Sequence, residues 1–98
     1  MPFLWNMTPE EREQAAETAQ DMLRRSCALT DERTLLVLDE LCGAVETGLI
    51  PEELADRCLN QLPQGAEVVM TGRNPPSKWL EQADYVTELC ARKHPYER

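Results

Sequence analysis

The stretch Thr34-Leu35-Leu36-Val37-Leu38-Asp39-Glu40 constrains this chain more than any other, because four consecutive aliphatic residues run straight into two carboxylates. An aliphatic run without polar alternation predicts a strand buried on both faces, as in a parallel sheet covered by helices. Open parallel sheets bind ligands beyond the carboxyl ends of their strands. Asp39 and Glu40 are therefore a candidate metal or acid–base pair. The same two carboxylates would also suit the first turn of a following helix, where they favour the N-terminal dipole. The stretch alone leaves both readings open.

The flanking segments supply the helices that such a strand needs. Thr8 can cap a helix, Pro9 suits its first position, and Glu11 completes a capping box. Behind them Ala15, Ala16, Ala19, Met22 and Leu23 share one face at helical spacing, and Arg24 and Arg25 close a helix ending at about Cys27. Leu29 to Arg33 reads as a polar connection. After the strand, Leu41, Ala44 and Val45 predict a short helix stopping at Gly48. Pro51 opens another, with Leu54, Ala55, Cys58, Leu59 and Leu62 inward and Pro63 and Gly65 at its end. Glu67 to Thr71 is a second predicted strand, stopping at Gly72-Arg73-Asn74. Pro75-Pro76 and Ser77 start a helix with Trp79, Leu80 and Ala83 inward. Tyr85 to Leu89 is a third predicted strand, followed by the basic turn Arg92-Lys93-His94. Strands separated by helical segments imply an α/β fold, a parallel sheet with flanking helices and right-handed crossovers. The 98 residues make one domain or part of one.

Charge and cysteine usage narrow the partners. The net charge is −8, from 18 acidic and 10 basic residues, which argues against nucleic acid or an anionic membrane as a partner. The cysteines at 27, 42, 58 and 90 form no CxxC unit and are accompanied by a single histidine, so they do not make a zinc or cluster framework. Each lies in or beside an apolar segment, and free buried thiols are expected. With no signal sequence and no long apolar span, a cytoplasmic location is expected.

In a parallel sheet the polar residues that follow each strand converge on one edge. Here these are Asp39-Glu40, then Thr71-Gly72-Arg73-Asn74, then Glu88 leading to Arg92-Lys93-His94. A carboxylate pair, a hydroxyl beside a glycine and several cations suit a metal–nucleotide complex. Strand ends are also polar simply because the chain leaves the core there. A phosphate loop, G-x-x-x-x-G-K-[ST], does not occur in the 98 residues, whose glycines are isolated at 43, 48, 65 and 72.

Several blocks together resemble one family. They are Leu36-Val37-Leu38-Asp39-Glu40-Leu41, Gly48-Leu49-Ile50-Pro51, Val68-Val69-Met70-Thr71-Gly72-Arg73-Asn74, Ala83-Asp84-Tyr85-Val86-Thr87-Glu88 and Lys93-His94-Pro95-Tyr96. In that order and spacing they resemble the P-loop-type corrinoid adenosyltransferases, which act on cob(I)yrinic acid a,c-diamide or cobalamin. Phe3-Leu4-Trp5 is similar to the family's Gly-Phe-Thr-Trp segment. The resemblance implies transfer of the 5′-deoxyadenosyl group of ATP to Co(I) of a corrinoid, with release of tripolyphosphate. Reduced cobalt is the nucleophile, so the protein positions substrates and stabilises charge. Asp39 and Glu40 then match a Walker B-like segment, with Glu40 the Mg²⁺ ligand and Asp39 its neighbour. Thr71, Gly72 and Arg73 match a block beside the nucleotide. Phe3 and Trp5 match aromatics that pack beneath the corrin ring and displace its lower axial ligand; without the resemblance they read equally as core filling.

The departures shape what is expected of this chain. The family's first strand and phosphate loop have no counterpart, so residues 1–98 resemble the C-terminal half of the enzyme, an incomplete P-loop NTPase-like (RecA-like) domain. Pro2 and Leu4 replace the glycine and threonine beside the aromatics, Cys90 stands where arginine is common, and Tyr96-Glu97 stands for Phe-Asp. An unfilled sheet position leaves open edges, which predicts a homodimer or a rearranged sheet. Two other readings stay open: a non-catalytic interaction module keeping the fold, and an unrelated acidic α/β domain.

Overall fold

A computed structural model describes residues 6–88. Its elements run α1 (Pro9–Ala28), β1 (Leu35–Leu38), α2 (Leu41–Glu46), α3 (Glu52–Asn60), β2 (Glu67–Met70) and α4 (Ser77–Gln82). The α/β architecture follows from the crossover. β1 and β2 pair in parallel, Leu35 opposite Glu67 through Leu38 opposite Met70, with α2 and α3 in the connection between them.

The first helix starts at its predicted cap, with one half of the expected capping box formed: Glu11 returns no side-chain bond to the Thr8 amide. The Thr8 hydroxyl accepts from the Glu11 amide at 3.1 Å, Pro9 opens the helix, and Arg25 sits in its last turn. Only Leu23 of this helix is fully buried, and side-chain bonds from Arg12 to the Thr47 carbonyl and from Gln20 to the Leu49 carbonyl, each 2.9 Å, tie the rest to the α2–α3 connection. The connection after α1 is ordered by its own polar groups. Thr30 is buried and donates to the Ser26 carbonyl at 2.7 Å. The Asp31 carboxylate accepts from the Thr34 hydroxyl and the Arg33 amide, both at 2.8 Å, and these bonds hold its carboxyl below the usual carboxylate range.

The core is a cluster of Leu23, Leu41, Cys42, Ile50, Leu54, Ala55, Cys58 and Trp79, against which Leu38 and Met70 of the sheet pack. The amphipathic face read for α3 is the one buried, and Leu59 and Leu62 are half-buried beside it. Two other faces need correction. Met22 of α1 is 63% exposed, and on α4 only Trp79 turns inward, with Leu80 and Ala83 exposed. A residue next to an inward position is carried outward by the 3.6-residue turn, as Met22 is beside Leu23 and Leu80 beside Trp79, whereas Ala83 lies past the end of α4 in extended backbone.

Two larger expectations also fail. The aliphatic strand is not buried on both faces: Leu36 and Leu38 turn to the helices, whereas Leu35 (58%) and Val37 (57%) stay exposed, with Val69 beside them on β2. The reason is that helices cover one side of the sheet only among the described residues. The expected third strand is also absent over its described part. Tyr85 to Glu88 has no strand structure, and Tyr85 is 93% exposed. A strand exists only as part of a ladder, and among the described residues these four pair with neither open edge of the β1–β2 sheet. Leu89 and the basic turn Arg92-Lys93-His94 lie outside the described residues, as do Phe3, Trp5 and Cys90. No helix among the described residues is long and apolar enough to cross a membrane.

Candidate functional site at the carboxyl ends of the strands

Parallel pairing sets the ends of β1 and β2 side by side, so Asp39-Glu40 and Thr71-Gly72 meet although they are about thirty residues apart in the chain. The ladder continues past the strands through the Thr71 amide, which donates to the Leu38 carbonyl at 3.2 Å. The Thr71 hydroxyl then joins the two loops. It donates to Asp39 Oδ1 at 2.6 Å and accepts from the Glu40 amide at 2.9 Å. One hydroxyl thereby uses both its donor and its acceptor capacity across the strand ends.

This clasp holds an unusual backbone. Glu40 has φ +62°, in the left-handed region that non-glycine residues rarely occupy. Glu40 is the N-cap of α2, its carbonyl accepting from the Ala44 amide at 3.1 Å, so the carboxylates do stand at a helix start, although Glu40 makes no side-chain capping bond there. Its carboxylate lies over the first turn, where a Cβ added at Gly43 would come 3.7 Å from Oε2. On the facing loop Gly72 has φ +138°, and a Cβ there would lie 2.7 Å from the Cβ of Cys42. Gly72 thus serves by lacking a side chain, which lets β2 turn away directly over the start of α2. Asn74, also left-handed at φ +51°, donates to Glu46 at 2.9 Å and pins the far end of the loop.

Asp39, Glu40, Thr71, Gly72 and Arg73 are all exposed. The structure brings the first four together around the clasp, and Arg73 follows directly on the same loop. Cys42 is buried beneath them; desolvation, with the Glu40 charge nearby, pushes its thiol up. Among the described residues no group of three or more His, Cys, Asp or Glu side chains could hold a metal ion. The Asp39–Glu40 pair offers hard oxygen donors on an open surface. That suits a Mg²⁺ ion that keeps waters and shares its shell with phosphate oxygens, not a closed protein cage.

Sequence reading singled out Thr71 but not its two hydrogen bonds, to Asp39 and from the Glu40 amide, because these depend on strand register. It also missed the seat of Gly72 on Cys42 and the Asn74–Glu46 tie. The Gly-Arg-Asn run signals a turn, but not which helix it lands on. A second polar cluster, equally missed, joins α4 to α3. The Trp79 indole N–H donates to Asp56 at 2.7 Å, and Lys78 bridges Glu52 (3.0 Å) and Asp56.

Comparison with known proteins covers the whole chain. The family model described as ATP:corrinoid adenosyltransferase BtuR/CobO/CobP matches residues 1–98. The chain is 34% identical over 101 residues to a corrinoid adenosyltransferase of Sinorhizobium sp., covering 96% of this chain and 44% of that protein. It is 32% identical to the corrinoid adenosyltransferase of Escherichia coli, covering 97% and 48%, and 29% identical to that of Pseudomonas aeruginosa, covering 96% and 46%. The chain spans about half the length of the curated relatives it matches. No solved structure gives a significant match.

Proposed function

The chain belongs to the ATP:corrinoid adenosyltransferase family, and on that premise we propose that its strand-end clasp is the magnesium and nucleotide side of an adenosyltransferase site. The observation that carries this reading is the Thr71 hydroxyl, bonded at once to Asp39 Oδ1 and to the Glu40 amide. In the proposed reaction Co(I) of a corrinoid attacks the ribose C5′ of ATP, and tripolyphosphate leaves.

No side chain has to act as a nucleophile, so the residues are asked only to orient groups and balance charge. Glu40 is the proposed Mg²⁺ ligand, with Asp39 beside it held in one orientation by Thr71. When bound, Mg²⁺ offsets the negative charge of the phosphate chain as it departs. Gly72 gives the nucleotide a close approach to backbone, and Arg73 supplies a cation on the same loop. Phe3 and Trp5 are proposed to face the corrin ring. We further propose that the sheet belongs to a P-loop NTPase-like domain with a Walker B-like β1, acting in the cytoplasm.

A second reading, a non-catalytic interaction module, is favoured by a different observation. One sheet face is bare and apolar at Leu35, Val37 and Val69, and the strand edges carry unpaired backbone groups among the described residues. Pairing between two copies of the chain through this sheet is the proposed homodimer. A monomeric mass by light scattering at high concentration would count against it.

The decisive experiment follows Co–C bond formation from cob(I)alamin and MgATP. Turnover by the chain alone removes the module reading. Turnover that appears only when a phosphate-loop half of a relative is added supports the adenosyltransferase reading with a divided site. Inactivity in both cases, with no MgATP binding by calorimetry, overturns it. With no phosphate loop among these 98 residues, Glu40 is expected to grip Mg²⁺-ATP weakly. Tight binding that Glu40→Ala abolishes would contradict that expectation.

A further inference from the structure

The proposed reaction makes no use of the opposite end of the domain, where Thr30 precedes β1 and Pro63 precedes β2. An open cleft of about 410 Å³ lies there, lined by Arg24, Cys27, Thr30, Cys58 and Gln61 among others. Its two thiols are both free. Cys27 is half-buried near the end of α1, and Cys58 is buried on α3, a helix in direct contact with α1. Cys58 belongs to the core cluster and Cys27 packs against that same cluster. Burial, together with the neighbouring Cys58 sulfur, pushes the Cys27 thiol up to about 11.

The placement of the two thiols, not their acidity, is what favours a bond between them. Two thiols on adjacent helices share one solvent-connected cleft, the outer one reachable and the inner one behind it. That is the layout of an attacking and a resolving cysteine. Arg24, which also lines the cleft, adds a positive charge.

We propose that Cys27 and Cys58 are a dithiol pair that closes into a disulfide across the α1–α3 contact when an anionic low-molecular-weight disulfide enters the cleft. Cys27, as its thiolate, attacks one sulfur of the reagent, forms a mixed disulfide and releases one reagent thiolate. Cys58, as its thiolate, attacks the Cys27 sulfur of that mixed disulfide and releases the second. The two cysteine protons end on the two released thiols. The reagent gains two electrons and each cysteine sulfur loses one. The new bond joins helices that otherwise meet through core packing around Leu23, and it closes a loop containing β1 and α2. Arg24 is the charged group lining the cleft. The raised Cys27 thiol keeps the pair slow near neutral pH, with exchange speeding by about tenfold per pH unit as the thiolate fraction grows.

The test uses the reduced full chain and oxidised glutathione at mildly alkaline pH. Remaining thiols are alkylated, and peptides are mapped by mass without reduction. The expected result is a dominant Cys27–Cys58 cross-link, reversed by dithiothreitol and accompanied by a higher thermal midpoint. Cys42→Ser should keep the cross-link and Cys27→Ser should lose it. Three results would overturn the proposal: a main cross-link through Cys42 or Cys90, a lasting glutathione adduct on Cys27 without closure, or thiols of the folded chain that do not react. Mapping the unmutated chain separates these outcomes even where a cysteine variant folds poorly.

Discussion

Two carboxylate clusters in this small domain use the same chemistry to opposite ends. At the α3–α4 contact, Asp56 accepts from the buried Trp79 indole and from Lys78, while Lys78 also reaches Glu52. Partial burial pushes the Asp56 carboxyl up, but the hydrogen bonds from Lys78 and Trp79 and the ammonium charge outweigh it and leave the carboxyl below its ordinary value. Every group in that latch has a partner within the chain. At the strand ends, Asp39 spends one oxygen on Thr71, and Glu40 makes no side-chain capping bond and has a left-handed backbone. The latch closes its polar groups to hold a helix, whereas the clasp holds its carboxylates exposed. A satisfied cluster is structural; an exposed and strained one is the better candidate for function.

The comparison can be broken by substitution, and the largest effect belongs to the latch. Trp79→Ala should cost about 3–5 kcal/mol of stability, because it empties a core position and removes one of the two donors to Asp56. Denaturant titration reads it directly, and a loss under 1 kcal/mol would show that α4 is not held this way. Gly72→Ala comes next, at about 2–3 kcal/mol, since the added Cβ meets Cys42 in a backbone conformation that favours glycine. A shift in the thermal midpoint measures that change, and Gly72→Asn should cost no less.

Thr71→Val should cost only about 1 kcal/mol at an exposed site, yet lower adenosyl transfer more than ten-fold in any active assembly, with Thr71→Ser restoring most of it. Equal losses of stability and rate would make the clasp merely structural. Glu40→Gly reverses the sign: relief of the left-handed residue should raise stability by about 0.5–1 kcal/mol while weakening Mg²⁺-ATP binding. A destabilised Glu40→Gly variant would show that the carboxylate, not the backbone, is what the fold needs there.

The smallest effect is the pH response of the latch. The folded Asp56 carboxyl is depressed, so its contribution is present above about pH 4, the unfolded value, and is lost as pH falls through the lower folded value. Lys78 is raised by its hydrogen bond to Asp56, so its contribution is present below about pH 10.4 and is lost as pH rises beyond that. Between those limits the latch should be indifferent to pH. A midpoint that shifts between pH 6 and pH 9 in the unmutated chain, and not in Lys78→Met, would contradict the assignment.

Much of the fold was legible in local pattern. Thr8 and Pro9 start α1 where their cap and first-turn preferences place it, Leu54, Ala55 and Cys58 mark the buried stripe of α3, and the two β-branched and aliphatic runs become β1 and β2. Asp39 and Thr71 were legible as strand-end groups, but their bond was not. The Tyr85 segment shows the limit most plainly, because its composition suits a strand and nothing among the described residues lies beside it to make one. Leu35 and Val37 show the same limit in burial: apolar character favours cover, and cover depends on which helices the crossover delivers.

What the sequence determined by itself is therefore the kind and approximate bounds of the four helices and two strands that form among the described residues, the acidic balance and the family to which the blocks belong. These depend on interactions within one or two turns of chain, or on patterns that survive alignment. Only the tertiary structure decided that Thr71 bonds Asp39 and Glu40 together, that Cys27 and Cys58 share a cleft, and that no helix among the described residues covers Leu35, Val37 and Val69. Parallel register and helix placement join residues about thirty positions apart, and no local propensity carries that information.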